Sequence, residues 1–130
     1  IMTLKGAEIL IYPTAIGWDP KDSENEKKKQ LEAWKTIQKS HAVANGVHVI
    51  AVNRIGKEKD PSDQTSGIDF WGNSFIYGPQ GEEIFIANQK ETSKVIQIDK
   101  SSTETVRRWW PFLRDRRIDH YSEITNRFID

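Results

Sequence analysis

The amino-acid sequence predicts an α/β fold built on a mixed β-sheet, and three observations support this prediction. Short apolar segments at 9–12 and 47–52 flank a longer segment with helical periodicity. A strand–helix–strand order makes a crossover connection, which places its two strands parallel in one sheet. A Gly-Pro-Gln-Gly turn at 78–81 joins two further apolar segments, which predicts an antiparallel hairpin.

The first predicted strand runs directly into a loop. Residues 9–12 form a continuous apolar run, which is typical of a strand covered on both faces. Pro13 ends the strand because proline lacks the N–H that a ladder hydrogen bond needs. The loop at 14–21 carries Gly17, Trp18 and Asp19, and a loop in this position commonly belongs to a binding site.

The first helix is predicted to begin after Ser23, because Ser23 and Glu26 have the spacing of a capping box. Asn45 and Gly46 predict its end, since glycine adopts the left-handed conformation there without strain. The apolar stripe between these signals recurs every three or four residues and consists of Leu31, Trp34, Ile37, His41 and Ala44.

The rest of the chain predicts three more strands and a second helix. These strands lie at 73–77, 83–87 and 94–99, the last from an alternating pattern. Residues 55–69 are polar and predict a loop. Ser101 and Glu104 form a second capping box, which opens a short helix to Trp110. A basic, aromatic tail follows at 111–130.

Composition excludes several partners and chemistries. The chain has 19 basic and 19 acidic residues, so no single-signed charge attracts nucleic acid or anionic lipid. The lack of cysteine excludes disulfides and thiolate metal sites, and the three histidines lack metal-ligand spacing. No apolar run approaches the roughly 20 residues that span a bilayer. We expect a cytoplasmic protein with no cofactor, metal, nucleic-acid partner or membrane association.

The predicted core is incomplete. Two strands have the apolarity of strands buried on both faces, but a single long amphipathic helix covers only one face of a sheet. We therefore expect another chain, or another part of the same protein, to cover the second face. A chain that opens with Ile1 and enters a strand almost at once also suits a start inside a larger domain.

Four segments carry a resemblance to a known family: GAEILIYPTAIGW at 6–18, EAWKTIQKSHAVANGVHVIAVNRIG at 32–56, GIDFWGNSFIYGPQGE at 67–82 and RRWWPFLRDRR at 107–117. In order and spacing they resemble carbon–nitrogen hydrolases of the nitrilase superfamily, most of all the N-carbamoylputrescine amidohydrolase branch. The resemblance implies a four-layer α-β-β-α sandwich, of which residues 1–130 form the C-terminal half. It also implies that the tail at 111–130 contacts a neighbouring subunit of a homo-oligomer.

The resemblance implies a cysteine-dependent hydrolysis in which this chain supplies no catalytic residue. In the family a Cys attacks the amide, nitrile or carbamoyl carbon, a Glu acts as general base and a Lys stabilises developing charge. All three would lie upstream of Ile1, in an N-terminal half of the same protein, so we expect residues 1–130 alone to be inactive. The implied substrate is a small linear amide or carbamoyl amine like N-carbamoylputrescine, in polyamine metabolism.

Seven residues are candidates for contact with substrate: Thr14, Ala15, Ile16, Trp18, Asn53, Arg54 and Trp71. The resemblance implies that the backbone of the loop at 14–18 meets the substrate and that Trp18 lies over its alkyl chain. Asn53 and Arg54 end a parallel strand, where α/β sheets place ligands. Structural roles stay open as well: Trp18 as a core aromatic, Arg54 in an ion pair, and the segment at 70–82 as architecture.

Other functions also stay open. Trp18, Asp19 and Pro20 stand where members of the branch often have Ser-Glu-Pro, so a β-ureidopropionase, ω-amidase or nitrilase specificity is possible within the enzyme class. A second class is a non-catalytic protein-interaction domain, which would pair through its uncovered sheet face and the aromatic tail. A soluble, monodisperse product of this length without a companion chain would favour that class.

Overall fold

The computed structural model describes residues 1–129. Its main elements, in chain order, are β1 (Ile9–Thr14), β2 (Gly17–Trp18), α1 (Glu24–Asn45), β3 (His48–Asn53), β4 (Ile55–Glu58), β5 (Ile68–Trp71), β6 (Phe75–Tyr77), β7 (Glu83–Ile86) and α2 (Lys100–Trp109). Short 3-10 turns lie at Thr3–Lys5, Ile118–His120 and Ser122–Thr125.

The larger sheet has the mixed topology that the sequence predicts. Its strand order is β1-β3-β6-β7. β1 and β3 are parallel and connected through α1, with Ile9 opposite His48 and Thr14 opposite Asn53. β6 is antiparallel to both β3 and β7, which confirms the predicted hairpin. A smaller antiparallel sheet has the order β2-β5-β4. Two of its strands continue from the larger sheet, because β2 comes soon after β1 along the chain and β4 soon after β3.

Local signals set both ends of α1, as predicted. Ser23 is the N-cap, and its Oγ accepts a hydrogen bond from the N–H of Glu26 at 3.2 Å. Gly46 ends the helix in the left-handed conformation, with φ of 55°. A side chain at this position would approach Arg107 Cγ to 2.9 Å, so packing against α2 adds a second reason for glycine.

The buried face of α1 differs from the predicted stripe. Gln38 and Ala42 are buried, whereas Ile37 is 54% exposed. Trp34 packs against the core and fixes the rotation of the helix. Residues at steps of four from Trp34 share its face, so Gln38 occupies the place predicted for Ile37.

Other predictions about the elements are also wrong. Pro13 does not end the first strand: β1 continues to Thr14 with Pro13 opposite Val52, because an edge strand tolerates proline. The predicted loop at 14–21 contains the short strand β2.

Residues 94–99 form no strand, and Val95 is 97% exposed, because an alternating segment also needs a neighbouring strand with unpaired groups. The segment at 55–69 is not only a loop, since it contains β4, the whole connection at 59–67 and the first two residues of β5. The N-cap of α2 is Asp99 rather than Ser101, and its Oδ1 accepts from the Ser101 N–H at 2.9 Å.

The two faces of the larger sheet differ sharply in burial. One face packs against α1 and forms the main core, which includes Leu10, Val49, Ala51, Phe75 and Tyr77. We call the opposite side the open face; its apolar residues are Ile11, Pro13, Ile50, Val52, Ile76 and Phe85. Four of them lie side by side across the sheet, in the order Ile11, Ile50, Ile76 and Phe85.

The part of the open face on β1 and β3 remains accessible within the described chain. Ile11 on the edge strand β1 is 60% exposed and Val52 on the inner strand β3 is 55% exposed, whereas Ile76 on β6 is only 9% exposed. Contiguous exposed apolar surface of this kind marks an interaction face in soluble proteins. The expectation of an incomplete core therefore agrees with the packing that the structure shows.

α2 docks at the amino ends of the parallel strands, opposite the end at which β3 reaches Asn53. Lys100 Nζ contacts Glu8 Oε2 at 2.7 Å, and Thr103 Oγ1 lies 3.4 Å from His48 Nδ1. Burial lowers the pKa of His48 below its ordinary value, although the carboxylates of Glu82 and Asp99 oppose this shift. Because α2 occupies the amino end, the carboxyl end is left for a site.

Candidate functional site

Three chain segments meet at the carboxyl end of the larger sheet. β1 leads into the loop at 14–18, β3 ends at Asn53, and Gly72 follows β5. Asn53 Nδ2 donates to the carbonyl oxygens of both Ile16 and Gly72, which holds the segments within hydrogen-bonding distance of one side chain. Open α/β sheets bind ligands outside the carboxyl ends of their strands, so this end is the candidate site.

The loop at 14–18 uses most of its polar groups to hold its own shape. Thr14 Oγ1 donates to the carbonyl oxygen of Val52 at 3.1 Å. The N–H of Ile16 donates to Asn53 Oδ1 at 3.0 Å, and its carbonyl oxygen accepts from Asn53 Nδ2 at 2.9 Å. Ala15 lies between these fixed points and is exposed. The structure therefore places the Ile16 main chain toward Asn53 and leaves Ala15 at the surface of the loop.

Arg54 lies beyond the end of β3 and is held less tightly than Asn53. Its Nη2 lies 2.8 Å from Glu58 Oε2, and the guanidinium carbon lies 4.2 Å from the centre of the Phe70 ring. Both charged side chains are more than half exposed, with values of 55% and 56%. An exposed ion pair of this kind contributes about 0–1 kcal/mol to stability.

Trp18 and Trp71 pack in an aromatic cluster behind the loop. The cluster consists of Trp18, Trp34, Trp71 and Phe75. The Trp71 ring centre lies 5.3 Å from that of Trp18 and 5.7 Å from that of Trp34, and Trp71 is only 2% exposed. Trp34 belongs to α1, so the structure places both candidate tryptophans on the helix side of the sheet, away from the open face.

We expect Trp18→Phe to lower the free energy of unfolding by about 1 kcal/mol, because it removes a hydrogen bond but keeps a ring in the cluster. Trp18 Nε1 donates to the Lys27 carbonyl oxygen at 2.9 Å, near the start of α1. Urea denaturation of the full-length protein measures the change. Trp109→Phe is the matched control, since Trp109 is 70% exposed and its change should stay within about 0.5 kcal/mol. Equal stabilities of the two variants would contradict this role for Trp18.

A cavity of about 340 Å³ adjoins the candidate site. Its apolar wall is the part of the open face formed by Ile50, Val52, Ile76 and Phe85, and the segment at 88–96 borders it. Asn53, Arg54 and Ser74 line its polar end. Ser74 belongs to the segment at 70–82, for which an architectural role is open, and its Oγ accepts from the Asn53 N–H at 3.0 Å. Only the fold reveals this contact, because the two residues lie 21 positions apart.

The site offers groups that bind and orient a polar molecule. They are a carboxamide, a hydroxyl, a guanidinium and main-chain amides, and the chain contains no cysteine. Within residues 1–129, no cluster of three or more His, Asp or Glu side chains could hold a metal ion. In the same residues, neither helix combines the length and apolarity required to cross a bilayer.

Comparisons with known proteins agree with this geometry. The profile of the carbon–nitrogen hydrolase family matches residues 1–108. The crystal structure of a carbon–nitrogen hydrolase from Helicobacter pylori G27 is 55% identical, superposes with a TM-score of 0.94, and covers 97% of this chain and 43% of its own. N-carbamoylputrescine amidase from Oryza sativa subsp. japonica is 43% identical over 125 residues, which are 95% of this chain and 40% of that protein.

A bacterial relative widens the range of named activities. Citrullinase from Francisella tularensis is 35% identical over 129 residues, which are 98% of this chain and 43% of that protein. The chain thus spans about two fifths of the length of the relatives it matches. The α/β fold of the nitrilase type and the resemblance found in the sequence are both confirmed. This chain belongs to the carbon–nitrogen hydrolase family.

Proposed function

We propose that residues 1–130 are the C-terminal part of an amidohydrolase that releases ammonia from a terminal carbamoyl group on a linear amine. The observation that carries this proposal is the combination of an ordered strand-end site with an uncovered apolar sheet face beside it. The loop at 14–18, Asn53 and Gly72 are joined by hydrogen bonds, while Ile11 and Val52 stay exposed. A second sheet packed on this open face would complete a pocket at the strand-end site.

The second layer would be the upstream part of the same protein. The matched relatives are more than twice as long as the chain, which leaves length for another sheet and for the reacting residues. By family resemblance, an upstream Cys attacks the carbamoyl carbon, a Glu takes and returns protons, and a Lys stabilises the oxyanion. With one water, a carbamoyl amine then yields the amine, ammonia and carbon dioxide.

The substrate class follows from what two relatives share. N-carbamoylputrescine and citrulline, the substrates implied by the names of the rice and Francisella proteins, both end in a ureido group on a straight alkyl chain. They differ at the far end, which is an amine in one and an amino acid in the other. Identity is 43% to the amidase and 35% to the citrullinase, which favours N-carbamoylputrescine and a place in polyamine metabolism.

The tail at 111–130 is proposed as a contact between subunits of a homo-oligomer in the cytoplasm. Its large apolar side chains project into solvent in the single chain: Phe112 is 47% exposed, Ile118 71% and Phe128 79%. Aromatic residues and arginine are enriched in protein interfaces, and the tail supplies both. Asp130, its last residue, lies outside the described residues.

The test is ammonia release by the protein translated together with the coding sequence upstream of residue 1. N-carbamoylputrescine, citrulline and a simple ω-amide are compared at equal concentrations. We expect kcat/KM for N-carbamoylputrescine to exceed that for the ω-amide by at least about 10-fold, since a pocket fitted to a polar group discriminates strongly. Preference for the ω-amide would refute the carbamoyl class. A folded protein inactive on all three would favour the non-catalytic interaction domain.

A further inference from the structure

The side chain of Asn53 acts as a strand partner for the loop at 14–18. Its Oδ1 accepts from the Ile16 N–H at 3.0 Å, and its Nδ2 donates to the Ile16 carbonyl oxygen at 2.9 Å. This two-way exchange is the pattern that two directly opposed residues make in an antiparallel ladder. The carboxamide therefore continues the sheet at a point where β1 and β3 have ended.

The same side chain joins a third segment. The second hydrogen of Nδ2 is donated to the carbonyl oxygen of Gly72 at 3.0 Å. The backbone of this segment is tied back as well, because the Gly72 N–H donates to the Arg54 carbonyl oxygen at 3.0 Å. Asn53 is only 8% exposed, so water competes little with these bonds.

We infer that Asn53 is a positioning residue, which sets the distance between the loop at 14–18 and Gly72 at the mouth of the site. This inference rests on the proposed function for its effect on catalysis, but the geometry concerns this chain alone. It assigns Asn53 a role through the loop backbone in place of direct contact with substrate. The main chain of Ala15 is then the part of the loop held ready for a ligand.

Asparagine is the residue type that the arrangement requires. Aspartate has the same size and could still accept from the Ile16 N–H, but its second oxygen would face two carbonyl oxygens at about the distances that Nδ2 now spans. Alanine would leave the three main-chain groups without the partner they now share. Glutamine is longer by one methylene and would displace the loop.

The test compares Asn53→Asp and Asn53→Ala with the wild type in the full-length protein. Hydrogen exchange of the Ile16 amide reports the position of the loop, and KM with kcat reports its consequence for substrate. We expect Ile16 exchange to accelerate at least about 10-fold in both variants. KM should rise about 10-fold or more, with Asn53→Asp the more affected, because a displaced loop binds the substrate less well. The value of kcat should fall as well, since misplacement by about 1 Å costs about 100-fold in rate.

Asn45→Ala is the matched control. Asn45 is also partly buried and donates from its side chain to a main-chain oxygen, that of His41 at 2.9 Å, but it lies at the end of α1 near α2. It should change neither Ile16 exchange nor KM. Unaltered Ile16 exchange in the folded Asn53 variants, or lowered stability with unchanged KM, would overturn the inference. If the wild type released no ammonia, the proposed function would fail, and Ile16 exchange would still decide the role of Asn53.

Discussion

Trp71→Ala is expected to lower the free energy of unfolding by about 3–5 kcal/mol, the largest effect of any single change we consider. Trp71 is 2% exposed; it packs against Trp18 of the same smaller sheet and against Trp34 of α1. Its removal leaves a cavity where three elements meet, and the surrounding backbone cannot close it without losing the strand-end site. Most domains are stable by only about 5–15 kcal/mol, so this loss is a large fraction of the total free energy of unfolding. Urea denaturation of the full-length protein measures the loss.

Trp71→Phe separates ring packing from hydrogen bonding in the same cluster. Trp71 Nε1 has no hydrogen-bond partner among residues 1–129, so phenylalanine removes no bond within the described chain. We expect Trp71→Phe to keep more than half of the stability that Trp71→Ala loses. If the two variants were equally unstable, ring packing would not be the source of the effect.

Gly17→Ala is expected to displace the loop at 14–18 and to raise KM by about 10-fold or more, with a cost of about 1–3 kcal/mol in stability. A Cβ at Gly17 would lie 2.7 Å from both the Asp69 carbonyl carbon and Phe70 Cα. These are backbone atoms of the paired strand β5, so no side-chain rotation relieves the overlap. The two-residue pairing of β2 with β5 must open instead. Steady-state kinetics with N-carbamoylputrescine and thermal unfolding measure both effects.

Gly56→Ala is the control for the strain that any alanine introduces in this sheet. Gly56 lies on β4 with φ of 92°, and a Cβ there would meet no atom within 4 Å. Its cost is therefore conformational, about 1–2 kcal/mol, and KM should stay unchanged. A Gly17→Ala protein with wild-type KM would show that the loop tolerates separation from β5.

Features encoded by neighbouring residues could be predicted from the sequence. The Ser23 cap, the Gly46 end and the Gly-Pro-Gln-Gly hairpin each depend on residues within a few positions of one another. The parallel pairing of β1 with β3 follows from the handedness and length of the connection through α1. These predictions succeed because tertiary contacts agree with the local preferences.

Features set by tertiary partners could not be predicted in the same way. The segment at 94–99 alternates like a strand but forms no ladder, while the polar residues of β4 do, because β5 lies beside them. Gln38 is buried in place of Ile37 because Trp34 fixes the rotation of α1. The hydrophobic pattern of a segment does not show which strand or side chain packs beside it in the fold.

In the candidate site, too, local features could be predicted from the sequence and tertiary contacts could not. That Asn53 follows a buried strand is evident in the sequence, and the structure places it at the centre of the strand-end site. Its bonds to Ile16 and Gly72 span 37 and 19 positions, so only the fold reveals them. Trp18 and Trp71 resemble pocket aromatics in the sequence, yet both pack on the helix side of the sheet.

The central proposal is that residues 1–130 supply the strand-end site and half of the core, while the reacting groups lie upstream. Fragment complementation tests it most directly: residues 1–130 and the upstream segment are purified separately, refolded alone or together, and assayed for ammonia release from N-carbamoylputrescine. We predict no turnover by either fragment alone and recovery of activity in the mixture, because only the upstream segment covers the open face and supplies the reacting groups. Ammonia release by residues 1–130 alone, or undiminished release by the upstream segment alone, would contradict the account.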